Sequence, residues 1–319
     1  MKNRIKTSSK LLLSAVILST LTACGSGGSG TTTPTPTGLN GIVINNSNYQ
    51  SAFQTGVTGS FKLALQLMFA GSNIDTSRLI LSSNTTSTLS YACDNQGGTL
   101  QVTNLGNNTE EWVFSDCEIA DVSPSTHFQG IATIESILNS GDENNVGSYL
   151  HNWDLTQNIA FSNFIQTYPS VNGPSSRANG NIVLDSSNNL TSRINRSAMR
   201  SSNLTFDSTS VADVTSVYAF SDIYYDLQEN IDTEYLQSDI DFTANITGIG
   251  DAELITTTPL QFNETGVLLS GTGIVNTGNS SARMVATGND NVEISLDPEN
   301  DGSYESPIST TWSAIGGGE

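Results

Sequence analysis

Basic side chains are scarce in this sequence of 319 residues. Lysine and arginine together number 11 against 31 aspartates and glutamates, and the formal net charge is −20. Lys62 is the only lysine after residue 10. A chain of this charge repels nucleic acid and anionic lipid headgroups, so nucleic-acid binding is excluded and cationic partners are favoured.

Residues that serve most catalytic and metal sites are also few. The chain has two histidines, His127 and His151, and three cysteines. It contains no Cys-x-x-Cys or His-x-x-x-His pair, so a zinc site is not expected. It also lacks a Gly-x-Ser-x-Gly elbow and a phosphate-binding loop, so the sequence carries no recognised catalytic signature and gives no reason to predict an enzyme.

The first 24 residues carry the clearest signal in the chain. A basic start is followed by an apolar run at 11–21, which is too short to span a bilayer, and then by Leu21-Thr22-Ala23-Cys24. This ending resembles the lipobox of bacterial lipoproteins. The resemblance implies that residues 1–23 are a signal peptide, that Cys24 is lipidated, and that Gly25 in place of aspartate directs the protein to the outer membrane.

Residues 24–38 predict a flexible tether. Glycine and serine are followed by alternating threonine and proline, without large apolar side chains. Cleavage before Cys24 would remove four basic groups and no acid, leaving seven basic and 31 acidic groups and a net charge of −24. Residues 39–319 are then expected to form a single extracytoplasmic domain.

Most of that domain alternates apolar and polar residues with a period of two, which indicates β-strands. Asparagine- and glycine-rich turns separate the runs without intervening helices, which favours an antiparallel meander. The predicted fold is mainly β, a curved sheet forming an open or closed barrel or a wrapped sandwich. The predicted strands are 89–92, 99–104, 111–119, 130–138, 149–161, 180–184, 190–199, 203–207, 211–226, 234–247, 251–258, 266–275, 282–287, 291–296 and 308–315.

One early segment departs from this period. Phe53, Val57, Phe61 and Leu65 recur at helical spacing after Asn46-Ser47-Asn48, which offers an N-cap. The pattern predicts a helix over about 48–70 that packs on the sheet.

Cys93 and Cys117 remain after lipidation of Cys24. An even pair in an oxidising compartment predicts a disulfide between neighbouring strands or their ends.

Several short stretches resemble a group of uncharacterised proteobacterial lipoproteins. They are Cys93-Asp-Asn-Gln-Gly-Gly-Thr, Trp112-Val-Phe-Ser-Asp-Cys117, Leu269-Ser-Gly-Thr-Gly-Ile and the segment 292–305 ahead of Trp312. The resemblance covers both ends of the domain but not its middle. It implies architecture and location and no particular chemistry.

An acidic segment near the C-terminus suggests a calcium site. Asp297, Glu299, Asp301 and Glu305 surround Gly302 in a spacing like the start of an EF-hand loop. The position of the last ligand holds Ile308, which cannot coordinate calcium. The alternative is an acidic hairpin turn whose side chains cap the backbone.

Segment 224–242 mixes carboxylates with aromatic side chains, a combination that suits carbohydrate. Tyr224, Tyr225, Asp226 and Tyr235 are its candidate ligand-binding residues, and two of its carboxylates at the right separation could hydrolyse a glycoside. The alternative is a solvated face on two strands. Four nearby arginines, at 177, 193, 196 and 200, could clamp an anion or simply pair with the surplus of acids.

Three hypotheses for function follow. The first is a membrane-anchored, non-catalytic binding or scaffolding module whose partner is a protein, glycan or lipid. The second is a carrier that holds a lipid or apolar ligand in a curved-sheet cavity. The third is a polysaccharide-acting enzyme that uses segment 224–242.

Overall fold

The computed structural model describes residues 39–54, 87–93, 98–119, 126–167, 175–209, 215–233, 235–263 and 267–315. It confirms the mainly β, antiparallel prediction, because all 15 strands belong to one antiparallel sheet. The strands are β1 (Ser87–Ala92), β2 (Thr99–Gly106), β3 (Thr109–Ile119), β4 (Thr126–Ser140), β5 (Trp153–Thr167), β6 (Ser175–Asn189), β7 (Ile194–Ser201), β8 (Leu204–Thr209), β9 (Thr215–Asn230), β10 (Leu236–Ile246), β11 (Gly250–Phe262), β12 (Leu268–Asn276), β13 (Ser281–Gly288), β14 (Asn291–Asp297) and β15 (Ile308–Thr311).

The sheet is a meander in which strands pair with their neighbours in sequence, except that β7 and β8 do not pair with each other. β7 and β8 share one place in the order, because both pair with β6 on one side and with β9 on the other. Residues 202–203 interrupt them. The pair is therefore one long strand broken by a bulge, which bends a strand and increases its twist.

Glycines make room for two such irregularities. Gly180 on β6 has φ +114°, and a Cβ there would lie 2.1 Å from the carbonyl oxygen of Asn203. Gly130 on β4 has φ +107°, and a Cβ there would lie 2.1 Å from the carbonyl oxygen of Asn163. Only glycine fits at these two places, where bent strands approach closely.

One face of the sheet builds the hydrophobic core. Met199, Tyr225 and Ile240, on β7, β9 and β10, are each fully buried on this core face. Their sequence neighbours point to the opposite, outer face, because side chains alternate along a strand. Most of the buried apolar residues form one continuous cluster from β2 to the C-terminal 3₁₀-helix Ser313–Ile315.

The strand register defines two ends of the sheet. One end, called the far end, carries the loop 141–152, the turn 190–193 and the turn that starts at 231–233. The other, called the tether end because residue 39 follows the predicted tether, carries the turns 247–249 and 277–280 and the loop 298–307.

The first described residues are fastened to the tether end. Gly41 N donates to Thr277 O at 2.9 Å, and Ile42 N donates to Ile249 O at 2.8 Å. Ile44 N donates to the Ser280 hydroxyl at 2.7 Å, and its side chain is fully buried. The chain therefore enters the fold at this end.

Helix α1 (Tyr49–Ala52) begins after Asn48, as predicted. The Asn48 side chain does not cap it; its Oδ1 accepts from Asn45 N at 2.8 Å. Phe53 follows α1 and joins the core at 1% exposure. The remainder of the predicted helix, residues 55–70, lies outside the described residues.

The predicted disulfide is confirmed. Cys93, just after β1, is bonded to Cys117 on β3, with their Cα atoms 5.2 Å apart. It ties the first described strand to the strand two places away. Within the described ranges, no helix has the length and apolar character needed to cross a membrane.

Candidate functional site

Charged side chains from β7, β9 and β10 meet on the outer face. In the register, Asp226 on β9 lies directly opposite Asp239 on β10. Arg196 on β7 lies opposite Gln228, one step along the same face of β9. Directly opposed residues have Cβ atoms about 4.5–5.5 Å apart, so the two carboxylates are neighbours.

Asp226 is the most enclosed member of this cluster, at 7% exposure. Its Oδ1 accepts from Arg196 Nε at 2.8 Å, and its Oδ2 accepts from Tyr224 OH at 3.3 Å and Gln228 Nε2 at 3.1 Å. Its hydrogen bond raises the pKa of Arg196 above its usual value. Both carboxylate oxygens are therefore committed to fixed partners on two strands.

The Asp239 carboxyl group differs from that of Asp226 in its hydrogen bonding. Its Oδ1 is buried and accepts no hydrogen bond within the described part of the chain. Burial raises its pKa above the usual aspartate value, and the charges of Asp241 and Asp226 add to this shift. Asp241 itself accepts a hydrogen bond from Thr256 N at 2.8 Å. The cluster thus joins a carboxylate held by arginine to a neighbouring carboxyl group whose pKa is raised.

Polar contacts continue across the outer face toward β4. Arg200 Nη1 donates to Asp185 Oδ2 at 2.6 Å, and Thr156 Oγ1 donates to Asp185 Oδ1 at 2.7 Å. Asn139 Nδ2 then donates to Thr156 Oγ1 at 3.0 Å. These side-chain bonds join β4, β5, β6 and β7, so the outer face is cross-linked over several strands.

The structure separates the four predicted ligand-binding residues. Tyr224 and Asp226 lie together on the outer face, as described above. Tyr225 is fully buried on the core face, so it lies on the opposite side of the sheet from Tyr224 and Asp226. Tyr235 is 51% exposed but lies at the far-end turn, six positions before Asp241, which is the residue opposite Tyr224.

The predicted calcium segment is a turn capped by its own carboxylate. Asp297 is 1% exposed, and it accepts from Asp301 N at 3.1 Å and Gly302 N at 2.8 Å. Asp301 Oδ1 accepts in turn from Ser303 N at 2.8 Å. Across the described ranges, no three acidic, histidine or cysteine side chains are grouped to hold a metal. The side chains of Asp297, Glu299, Asp301 and Glu305 therefore do not form a metal centre here, and the capped turn accounts for the motif.

His127 lies between two carboxylates beside the disulfide. Its Nδ1 is 2.8 Å from Asp116 Oδ1, and its Nε2 is 3.8 Å from Glu118 Oε2. Asp116 is 76% exposed, so the group sits at the surface. It links β3 to β4 and was not predicted from the sequence.

Two grooves open on the core face. One lies at β1–β3 between Leu89, Tyr91 and Trp112 and has a cavity volume of about 20 Å³. The other lies at the far end of β7, β9 and β10 and has a cavity volume of about 30 Å³. Ligand pockets usually measure about 300–1,000 Å³ and enclose most of the ligand. Neither groove is a wide apolar hollow of the kind that the carrier hypothesis requires.

Comparisons with known proteins found no match: the chain matches no family model, no curated protein and no solved structure.

Proposed function

We propose that the mature protein is an outer-membrane lipoprotein, anchored through Cys24, whose β-sheet body is a non-catalytic binding or scaffolding module. The anchor rests on the lipobox-like Leu21-Thr22-Ala23-Cys24. The observation that carries the non-catalytic role is the commitment of both Asp226 oxygens to Arg196, Tyr224 and Gln228. A carboxylate that accepts hydrogen bonds from three side chains fastens strands together and has fewer acceptor positions left for a substrate.

The attachment of residues 39–44 indicates which end of the sheet would face the membrane. A chain of 15 residues from Cys24 to Leu39 reaches about 50 Å when extended, and about 20 Å on average as a flexible coil. The tether end would then face the bilayer, and the far end would point away from it. Loop 141–152 and the turn that starts at 231–233 would be the first parts that a partner meets.

Two measurements test the proposal. Mass spectrometry of the N-terminal peptide should find an acylated Cys24, and Cys24→Ala should move the protein from the membrane fraction to the soluble one. The purified protein should leave a panel of glycosides and esters unchanged. An unmodified N-terminal peptide would overturn the anchor. Turnover that disappears in Asp226→Asn would overturn the non-catalytic role.

A polysaccharide-acting enzyme is the second candidate, favoured by the opposed pair Asp226 and Asp239. Retaining glycosidases place two carboxyl groups about 5–5.5 Å apart, one ionised and one with a raised pKa. The register makes Asp226 and Asp239 direct neighbours, and the pKa of Asp239 is raised, as the acid of such a pair requires. If this candidate is correct, Asp239→Asn abolishes glycoside hydrolysis while the protein remains folded.

A further inference from the structure

The first described strand, β1, leaves one edge of the sheet open. Within the described ranges β1 pairs only with β2. Directly after β1, Cys93 N donates to Gly98 O at 3.2 Å, so the backbone groups of Cys93 face the β2 side. Because successive residues of a strand point these groups to opposite sides, the N–H and C=O groups of Thr88, Ser90 and Ala92 face the open side. Three donor–acceptor pairs are therefore available to another strand.

The opposite edge, formed by β15, is protected in ways that β1 is not. β15 has four residues, follows Pro307 and is closely followed by the 3₁₀-helix Ser313–Ile315. Proline and short length protect edge strands against pairing with other chains, as do charged side chains and bulges. β1 has six residues without proline or charge, and its register with β2 is unbroken. It therefore presents an edge on which an extended chain can pair.

The core-face side chains of β1 offer apolar surface to such a chain. Leu89 is in register with the buried Val102, yet it is 43% exposed, since no described strand lies beyond β1. Leu89 and Tyr91 line the small groove that reaches Trp112. That groove has no room for a separate ligand, but a strand added to β1 would place every second side chain beside Leu89 and Tyr91. The disulfide of Cys93 fixes the end of β1 to β3, so the edge is formed before a partner arrives.

The charge of this side of the sheet favours a cationic partner. Residues 87–167, which include β1 to β5, contain ten aspartates and glutamates but no lysine or arginine. Every arginine within the described ranges lies on β6 or later in the chain. Among the acids, Glu111 shares the outer-face row of Thr88 and Thr103. A potential of one sign, with no basic side chain to cancel it, attracts segments rich in lysine or arginine and repels acidic ones.

We propose that β1 binds an extended segment of a partner protein, rich in lysine or arginine, by strand addition. Backbone hydrogen bonds to the open groups of β1 supply affinity, and alternate side chains supply specificity. Apolar residues of the segment lie on the core face beside Leu89, and cationic residues lie on the same outer face as Glu111. The inference rests on the proposed binding role and names its partner class, but it does not depend on the lipid anchor.

The test measures binding of a labelled synthetic peptide of four Val-Lys repeats to the purified protein in detergent, by fluorescence anisotropy. Binding should saturate with a dissociation constant on the order of 100 µM. A peptide of four Val-Glu repeats, which keeps the alternation and reverses the charge, should bind at least about tenfold more weakly.

Ser90→Pro tests the open edge itself. It removes an N–H group that faces the open side, and it leaves the hydrogen bonds between β1 and β2 in place. This variant should bind the lysine peptide at least about tenfold more weakly. Ser309→Pro is the matched control on the other edge: Trp312 N donates to Asp290 O, so the N–H of Ser309, three residues earlier, faces away from β14. The control should bind like the unmodified protein.

Hydrogen exchange of the unmodified protein covers the case in which Ser90→Pro does not fold. The lysine peptide should slow amide exchange in segment 87–92 but not in segment 308–311, as measured by mass spectrometry. Sedimentation of the protein without peptide checks for pairing between two copies at the same edge.

Several results would overturn the proposal. They are no saturation by the lysine peptide up to about 1 mM, equal binding of both peptides, unchanged binding by a folded Ser90→Pro variant, and unchanged exchange in segment 87–92. A dimer that Ser90→Pro dissociates would also overturn it, because a second copy would then occupy the edge. None of these results affects the acylation and turnover tests of the proposed function, so the two failures are distinguishable.

Discussion

Replacing Arg196 with glutamine tests whether the outer-face cluster is a structural cross-link. The change leaves the Asp226 carboxylate, whose side chain is 9% exposed, without its cation. Removing one partner of a fully buried pair costs about 3–5 kcal/mol, whereas exposed pairs contribute about 0–1 kcal/mol. The Arg196 side chain is 42% exposed, so the pair is intermediate. We expect the free energy of unfolding to fall by about 2 kcal/mol.

Arg193 provides a matched control. Its side chain is also 42% exposed, but its partner Asp232 is 57% exposed. The two arginines thus differ mainly in the burial of the carboxylate. Arg193→Gln should lower the free energy of unfolding much less than Arg196→Gln does, because solvent screens the exposed pair. Urea unfolding of both variants at one pH and ionic strength, followed by circular dichroism, measures the difference.

The double variant Arg196→Gln, Asp226→Asn completes the test. It removes the buried charge together with its partner, so it should recover part of the stability lost in Arg196→Gln alone. Equal losses for Arg193→Gln and Arg196→Gln would refute the reasoning. So would a double variant that is less stable than the single one.

Three further predictions concern other parts of the sheet. Because the raised pKa of Asp239 makes its ionisation unfavourable in the folded state, Asp239→Asn should raise the melting temperature near pH 7, and the gain should vanish below the usual aspartate pKa of about 4. Gly180→Ala should destabilise the protein by more than Gly106→Ala in urea unfolding, since both glycines have positive φ but a Cβ meets backbone only at Gly180; equal losses would contradict the close approach. Replacing Cys93 and Cys117 by serine should cost about 3 kcal/mol of stability, and reductant should then have no additional effect on unfolding.

Much of the sheet follows from local pattern. Alternation and turn residues predicted antiparallel strands throughout, and β14 and β2 were placed within two residues of their observed bounds. Errors occur where alternation runs past the end of a strand. The strand predicted over 149–161 begins in the structure at Trp153, because Tyr149 belongs to the far-end loop and reaches across to Glu229. That contact joins residues 80 apart in sequence, so no local pattern could reveal it.

The candidate site, like the sheet, could be predicted from the sequence only in part. The period of two places Ile223, Tyr225 and Leu227 on one face and Tyr224 and Asp226 on the other. The sequence therefore contained the signal that separates Tyr225 from its neighbours. The pairing of Asp226 with Asp239 on β10 depends on the register between the two strands. That register is set by tertiary packing, so the sequence pattern did not reveal it.

The two faces of β7, β9 and β10 are linked through the strands that they share. Arg196 and Asp226 fasten β7 to β9 on the outer face, while Ser197 and Leu227, the next residue on each strand, line the groove on the core face. The spacing of β7 and β9 on the core face therefore depends on a charged pair on the outer face, because both sets of side chains project from the same two strands.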